Sequence, residues 1–267
     1  MTPEERILIA LDIDGTLLTW GGHLHKHAER AVHRVIADPR LELVLATGRS
    51  AHSAMGVARR IGLDQGWAVC SNGSVTVRLD PAAANGWEIA HSVTFDAAPA
   101  VAAIRLAFPK ARLAVEDAGH GFLVTRQFPD GELDGIVTVV DDTQLAARPV
   151  TRVIVRETDL DPARVEALVD ELQLPDVSYA VGWTGWVDLN PPGVSKASAL
   201  EALRRRLGVA QGRTVAIGDG GNDITMLRWA ARGVAMGGAR PEVKAAADEV
   251  TGTINLGGLA RVLNSLV

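Results

Sequence analysis

Ile7-Leu-Ile-Ala-Leu11-Asp12-Ile-Asp14-Gly15-Thr-Leu-Leu18 is the stretch from which the rest of the chain is read. Five apolar residues, Ile7 to Leu11, run without a polar break. Such a run fits a short strand buried on both faces of a parallel sheet. Asp12 and Asp14 follow, with Ile13 between them. Residues two apart in extended chain project to the same side, so the two carboxyl groups emerge together at the strand's carboxyl end. Open α/β sheets place their ligands at that end. Gly15 permits a sharp turn directly afterwards. Two like charges buried side by side are costly unless a positive group joins them, and a bound Mg²⁺ answers that need. Taken alone, the same residues also read as an Asp-rich turn.

Working outward, Leu41 to Ala46 is a second apolar run, ending in Thr47-Gly48-Arg49-Ser50 before a predicted helix, Ala51 to Ile61. The free N–H groups at such a helix start hold anions, and Thr47 or Ser50 also suits an N-cap. Trp67 to Cys70 is a third strand, closed by Ser71-Asn72-Gly73-Ser74. The character then shifts. Val75 to Leu79 and Trp87 to Phe95 read as a hairpin around turn residues 80–86. Ala98 to Phe108 suits a helix stopped by Pro109. Strands are expected at Leu113 to Val115, Gly121 to Arg126, Arg152 to Arg156 and twice within Ser178 to Leu189, with a helix at Pro162 to Leu172. Strands outnumber helices from about 75 to 190, which marks a mixed α+β insert.

Alternation resumes with a helix from Ser195 to Leu207. Lys196 lies in its first turn, where the helix dipole disfavours a cation, so another task is expected of it. Thr214 to Ile217 is a strand that runs into Gly218-Asp219-Gly220-Gly221-Asn222-Asp223 and a helix, Ile224 to Ala231. Val234 to Met236, Pro241 to Ala247 and Leu259 to Leu266 complete the pattern as strand, helix and helix.

Bulk properties narrow the function. With 267 residues, 47% of them apolar, the chain has enough apolar material for one large domain or two smaller ones. A net charge of −5 predicts neither a nucleic-acid groove nor an anionic membrane surface. Cys70 is the one cysteine, so no internal disulfide forms. Met1 to Arg6 lacks the features of a signal peptide, and no apolar run approaches membrane-spanning length. A soluble, cytoplasmic protein is expected. His23, His25 and His27 alternate, but no carboxylate accompanies them at useful spacing and they lead into a helix, so they are not read as a metal site.

Four polar clusters thus end core elements: Asp12 with Asp14, Thr47, Lys196, and Asp219 with Asn222 and Asp223. Carboxylates and one lysine in that arrangement suit a pocket for Mg²⁺ and phosphate. The P-loop pattern and the dinucleotide Gly-x-Gly-x-x-Gly pattern are both missing, so neither class is supported.

These motifs, in order, resemble the haloacid dehalogenase (HAD) superfamily of phosphohydrolases, in its Cof-type branch with a type IIB cap. The resemblance runs through Asp12-Ile-Asp-Gly-Thr-Leu, Thr47-Gly-Arg, Asn72-Gly, Gly193-Val-Ser-Lys196, Gly218-Asp-Gly-Gly-Asn-Asp223 and Val234-Ala-Met-Gly with Pro241 to Asp248. It implies an α/β fold: a Rossmann-like doubly wound parallel-sheet core, 1–75 and 190–267, with an inserted α+β cap, 76–189, that sets substrate specificity. It implies Asp12 as nucleophile and Asp14 as general acid and base. Mg²⁺ would be bound by the Asp12 carboxylate, the Asp14 backbone carbonyl and Asp219. Thr47, the Gly48 N–H, Lys196 and Asn222 would hold phosphate, with Asp223 and Asn72 supporting them. The expected activity is Mg²⁺-dependent hydrolysis of a small phosphorylated metabolite, such as a sugar phosphate, by a monomer or homodimer. A phosphomutase on the same fold and a non-enzymatic phosphate-binding protein are the alternatives, the latter opposed by the intact carboxylate pair. In the insert, Trp183 and Trp186 are expected to pack against the core. Arg112, Arg126 and His120 read as solvated surface, with one of them facing substrate as the alternative.

Overall fold

The strand read first forms as expected, and everything else in its sheet is placed relative to it. A computed structural model describes residues 6–157, 161, 164, 167, 171–172, 177–181 and 185–267. Most of the segment expected as a helix from Pro162 to Leu172, and Trp183, lie outside the described residues.

The chain starts with β1 (Ile7–Leu11), α1 (Lys26–Ala37), β2 (Leu41–Ala46), α2 (Ala51–Arg60) and β3 (Gly66–Cys70). A tight link follows, then β4 (Val75–Leu79) and β5 (Trp87–Ser92). Next come α3 (Ala98–Ala107), β6 (Arg112–Asp117), β7 (Gly121–Val124), β8 (Ile136–Val139), α4 (Asp142–Leu145), β9 (Val153–Arg156), β10 (Ser178–Val181) and β11 (Trp186–Asn190). The last part holds α5 (Lys196–Leu207), β12 (Thr214–Gly218), α6 (Ile224–Trp229), β13 (Arg232–Ala235), α7 (Pro241–Ala245), β14 (Glu249–Val250) and α8 (Gly258–Asn264).

Two compact units result. The first comprises Met1–Arg49, Ala54–Ala90 and Ser195–Val267; the second comprises Ser50–Ser53 and His91–Val194. In the first, eight strands lie in the order β14-β13-β12-β1-β2-β3-β4-β5. β1 pairs in parallel with β2 on one side and β12 on the other. Leu8, Ile9, Ala10 and Leu11 are fully buried, which a strand needs both faces covered to achieve. Each such large side chain contributes about 1.5–3 kcal/mol of burial. Leu8 and Ala10 share their face with Val44, Ala46, Ala216 and, from α5, Leu200 and Leu203. The connections run outward from β1 through β2 and β3, then return to β12 and run outward the other way. The sheet therefore changes winding direction between β1 and β12, and ligand crevices form at the carboxyl ends of strands at such a point.

The hairpin expected to open the insert lies elsewhere. β4 pairs antiparallel with β3, from Cys70↔Val75 to Gly66↔Leu79, and β5 follows at the edge of the same sheet. The link between β3 and β4 is too short to let β4 leave β3, so the hairpin extends the core sheet and the first unit runs on to Ala90. The second unit has six strands in the order β10-β11-β9-β6-β7-β8. Only β7 and β8 run parallel among its described pairs. Leu113, Val115, Val153, Val155, Val187 and Leu189 pack on Val101 and Ile104 of α3. No helix among the described residues is long and apolar enough to cross a membrane.

Candidate active site

β1 delivers Asp12 to the place where the sheet changes direction. The Asp12 N–H donates to the Ile217 carbonyl at 3.0 Å, carrying the β1–β12 pairing one residue past the end of β1. That fixes Asp12 beside the loop that follows β12. Gly15, with φ +82, turns the chain back so closely that a Cβ there would lie 2.1 Å from Asp219 Oδ2. Thr16 Oγ1 then donates to Asp219 Oδ1 at 3.0 Å. The two strand ends are thereby stitched together.

Lys196 starts α5. Ser195 caps that helix, accepting from the Ser198 N–H while the Ser198 side chain accepts from the Ser195 N–H. The Lys196 side chain is fully buried, and its Nζ donates to Asp12 Oδ1 at 2.7 Å and to Asp223 Oδ1 at 2.6 Å. This is the task that its unfavourable position at a helix start implied. Asp223 is fully buried too, and its Oδ2 accepts from the N–H groups of Asp219, at 2.9 Å, and Gly220, at 2.8 Å.

Charge is densely packed here. Burial first, then the Asp223 charge, raise Asp12 well above the ordinary carboxylate range, against the pull of Lys196. Burial, with Asp223 alongside, lifts Asp219 to about 6. Burial alone would lower the Lys196 ammonium, but Asp12 and Asp223 outweigh it and hold its pKa above the usual lysine value. Three carboxylates around one ammonium leave negative charge in excess. Carboxylate oxygens of Asp12, Asp219 and Asp223 lie within 4.8 Å of one another, and this hard-oxygen set fits a divalent cation.

The remaining candidates gather around the Thr47 loop. Thr47 is buried; its Oγ1 accepts from the Arg49 N–H at 3.1 Å, and its carbonyl accepts from the Asn72 N–H at 3.1 Å. Asn222 Nδ2 donates to Asn72 Oδ1 at 2.9 Å. A Cβ on Gly48 would lie 3.1 Å from Asn72 Oδ1 and 3.5 Å from Asn222 Nδ2. Asp14 stands apart from the carboxylate cluster: Arg49 grips it with two bonds, Nε to Oδ2 at 2.8 Å and Nη2 to Oδ1 at 2.6 Å. Ser50 serves as the cap of α2, accepting from the Ser53 N–H at 3.1 Å.

With this geometry in hand, comparison with known proteins is decisive. The haloacid dehalogenase-like hydrolase family matches residues 9–263. The chain belongs to that family. Phosphatase YwpJ of Bacillus subtilis (strain 168) is 25% identical to this hydrolase over 97% of this chain and 99% of its own. A phosphoglycolate phosphatase of Halobacterium salinarum is 29% identical over 91% and 89%. With YxeH of Bacillus subtilis the match is short, 45% identical over 73 residues, which is 27% of each chain. Among solved structures, the HAD subclass IIB sugar phosphatase BT4131 superposes with a TM-score of 0.80 at 22% identity, over 97% of this chain and 98% of that one, a likeness of fold. The phosphatase BT1666 of Bacteroides thetaiotaomicron gives 0.77 at 26% identity, over 98% and 95%. The hydrolase is therefore a Cof-type HAD phosphohydrolase, and its reaction class is phosphoric monoester hydrolysis.

Two residues of the hydrolase's site escaped the sequence reading. Arg49 lies inside the Thr47-Gly-Arg motif, and a loop arginine two residues after Thr47 is the signal for a carboxylate or phosphate nearby. Thr16 lies inside the first motif, yet its partner across the sheet has no local signal. In the second unit, Trp186 donates from Nε1 to Asp188 at 3.0 Å and meets Phe128 edge-on at 6.0 Å, so it packs within that unit. Arg112 and Arg126 donate to the carbonyls of Gln127 and Lys110, and His120 is exposed. The rings of His23, His25 and His27 contact one another in sequence, and among the described residues they join no metal-binding group.

Proposed function

We propose that the hydrolase is a Mg²⁺-dependent phosphatase that cleaves a small phosphorylated metabolite, a sugar phosphate above all, through an aspartyl-phosphate on Asp12. The observation that carries this reading is the buried Asp12 carboxylate at the turning point of the sheet, joined to Lys196 and flanked by Asp219. Binding alone needs no nucleophile there. An oxygen of Asp12 attacks phosphorus, and the bond from phosphorus to the substrate's alcohol oxygen breaks. Asp14 gives that oxygen a proton, so an alcohol leaves. Asp14 then takes a proton from water as the water oxygen attacks phosphorus. The Asp12–phosphorus bond breaks, restoring the carboxylate and releasing inorganic phosphate.

Asp12, Asp219 and the Asp14 carbonyl would hold Mg²⁺, which supplies charge neutralisation for the incoming phosphate. Asp223, already bonded to Lys196 and two backbone N–H groups, organises the loop. Lys196, Thr47, the Gly48 N–H and Asn222 steady the phosphoryl oxygens, where positioning and charge do most of the catalysis. Arg49 steadies Asp14. Residues 91–194 choose the substrate, since every residue in these roles lies in the first unit. The relatives named phosphatases support the reading. The protein works in the cytoplasm as a monomer or homodimer, without nucleic acid or membrane.

The test is phosphate release from a panel of phosphorylated metabolites, with and without Mg²⁺, followed by mass spectrometry of acid-quenched enzyme. Mg²⁺-dependent turnover and a phosphorylated peptide containing Asp12 are expected. Turnover that persists in excess chelator, or phosphate on another residue, would overturn it.

A further inference from the structure

Ser71 and Asn72, with φ of 50 and 56, are the two non-glycine residues in left-handed backbone among the described residues. They are consecutive and buried. Serine has no preference for that region, and such conformations persist only where surroundings enforce them. Here the enforcement comes from the site. The Ser71 N–H donates to the Arg49 carbonyl at 2.8 Å, and the Asn72 N–H to the Thr47 carbonyl at 3.1 Å. Asn72 Oδ1 takes the Asn222 amide. Gly73, with φ +109, lies so close to the start of α5 that a Cβ would be 2.2 Å from the Ser195 carbonyl oxygen. One turn thus touches the Thr47 loop, the helix that carries Lys196, and the loop that carries Asn222.

We propose that Asn72 is a positioning residue: its carboxamide and left-handed backbone set the spacing between the Thr47-Gly48 loop and Asn222, and so the seat of the transferring phosphoryl group. This rests on the phosphatase reading above. A turn that merely joined β3 to β4 would be served as well by glycine at 72, which takes the same φ freely. Asparagine tolerates that φ and adds an acceptor. Gly48 completes the device, because any side chain there would press on the joined amides of Asn72 and Asn222.

The test compares Asn72→Gly, Asn222→Ala and their double variant. Asn72→Gly removes the carboxamide while suiting the backbone, so its melting temperature should stay at or above that of the wild type. Its kcat/KM should nonetheless fall about tenfold, with Mg²⁺-dependent affinity for inorganic phosphate weakened by a similar factor. Asn222→Ala should lose at least as much, since it also removes a phosphate contact, and the double variant no more than Asn222→Ala, because both break one link. Wild-type kinetics in Asn72→Gly, or losses that multiply in the double variant, overturn the proposal. Should Asn72→Gly fail to fold, Gly48→Ala must show the same paired loss, and wild-type kinetics there overturn it equally. A wild-type protein that neither turns over phosphate monoesters nor binds inorganic phosphate overturns the phosphatase reading itself, and the role of Asn72 with it.

Discussion

Asp12 and Lys196 are held 2.7 Å apart and both side chains are buried, so each is sensitive to loss of the other. Replacing Asp12 by asparagine removes the attacking charge but little volume. Turnover should fall by about a thousandfold or more while the chain stays folded, and activity within about tenfold of wild type would end its role as nucleophile. Lys196→Met leaves Asp12 and Asp223 buried without their cation. A loss of about 3–5 kcal/mol in denaturant unfolding near neutral pH is expected, and one below about 1 kcal/mol would show that the pair is not what holds this corner together. Asp14→Ala should divide the reaction. An aryl leaving group departs without a proton, so an aryl phosphate should give a rapid burst near the enzyme concentration and then stall, whereas a sugar phosphate should give none. Equal losses with both and no burst would leave Asp14 no part in proton transfer. Asp12, Asp14, Lys196 and Asp219 were legible because each ends a recognisable apolar run or begins a helix. Arg49 and Thr16 were not, because their partners, Asp14 and Asp219, are fixed by folding and not by spacing.

At the scale of elements, β1, β2, β3 and β12 were readable because strands covered on both faces carry mostly apolar runs, broken in β2 by Glu42 alone. β8 was not: Ile136-Val-Thr-Val139 is β-branched and apolar, but four residues are too short a run to fix an element alone, and this mostly exposed strand forms by pairing with β7. Alternation marks β4 and β5 as strands without naming their sheet, which is why the sequence places this hairpin in the insert; the short Ser71–Ser74 link keeps it in the core sheet. The loop after β12 depends on a missing side chain at that strand's last residue. A Cβ on Gly218 would lie 2.5 Å from the Asp223 carboxylate. Gly218→Ala should therefore push Asp223 off Lys196 and the loop N–H groups. The expected cost is about 1–3 kcal/mol in stability together with most of the activity, read from denaturation and kcat; an alanine variant with wild-type values would show that the loop has slack.

The whole molecule should register its carboxylate cluster in how stability varies with pH. Without metal, Asp219 titrates near 6 in the folded chain instead of 3.8. The folded state then holds a proton that the unfolded state has shed, so this group adds stability as pH falls from about 6 toward 4 and takes it away as pH rises through 6. Asp12 shifts in the same direction. In chelator, the melting temperature should be higher near pH 5 than near pH 7.5, and Asp219→Asn should flatten the difference. Mg²⁺ should remove it as well, since the cation takes the proton's place. A wild-type protein in chelator with no such difference would mean that water reaches these carboxylates freely. Exchanging residues 91–194 for those of a relative with another substrate should move preference while the chemistry persists; a folded chimera with the original preference would place substrate choice in the first unit.

The strand that starts the sheet must wait for its second neighbour. β1 finds β2 almost at once, but its other edge pairs Leu8 with Thr214 and Leu11 with Ile217, and the whole second unit is synthesised in between. At ribosomal speeds of about 5–20 residues per second, that edge stays open for on the order of ten seconds. An unpaired edge on a wholly apolar strand is a template for other chains. Newborn molecules of this protein therefore pass through an adhesive interval that the finished fold conceals.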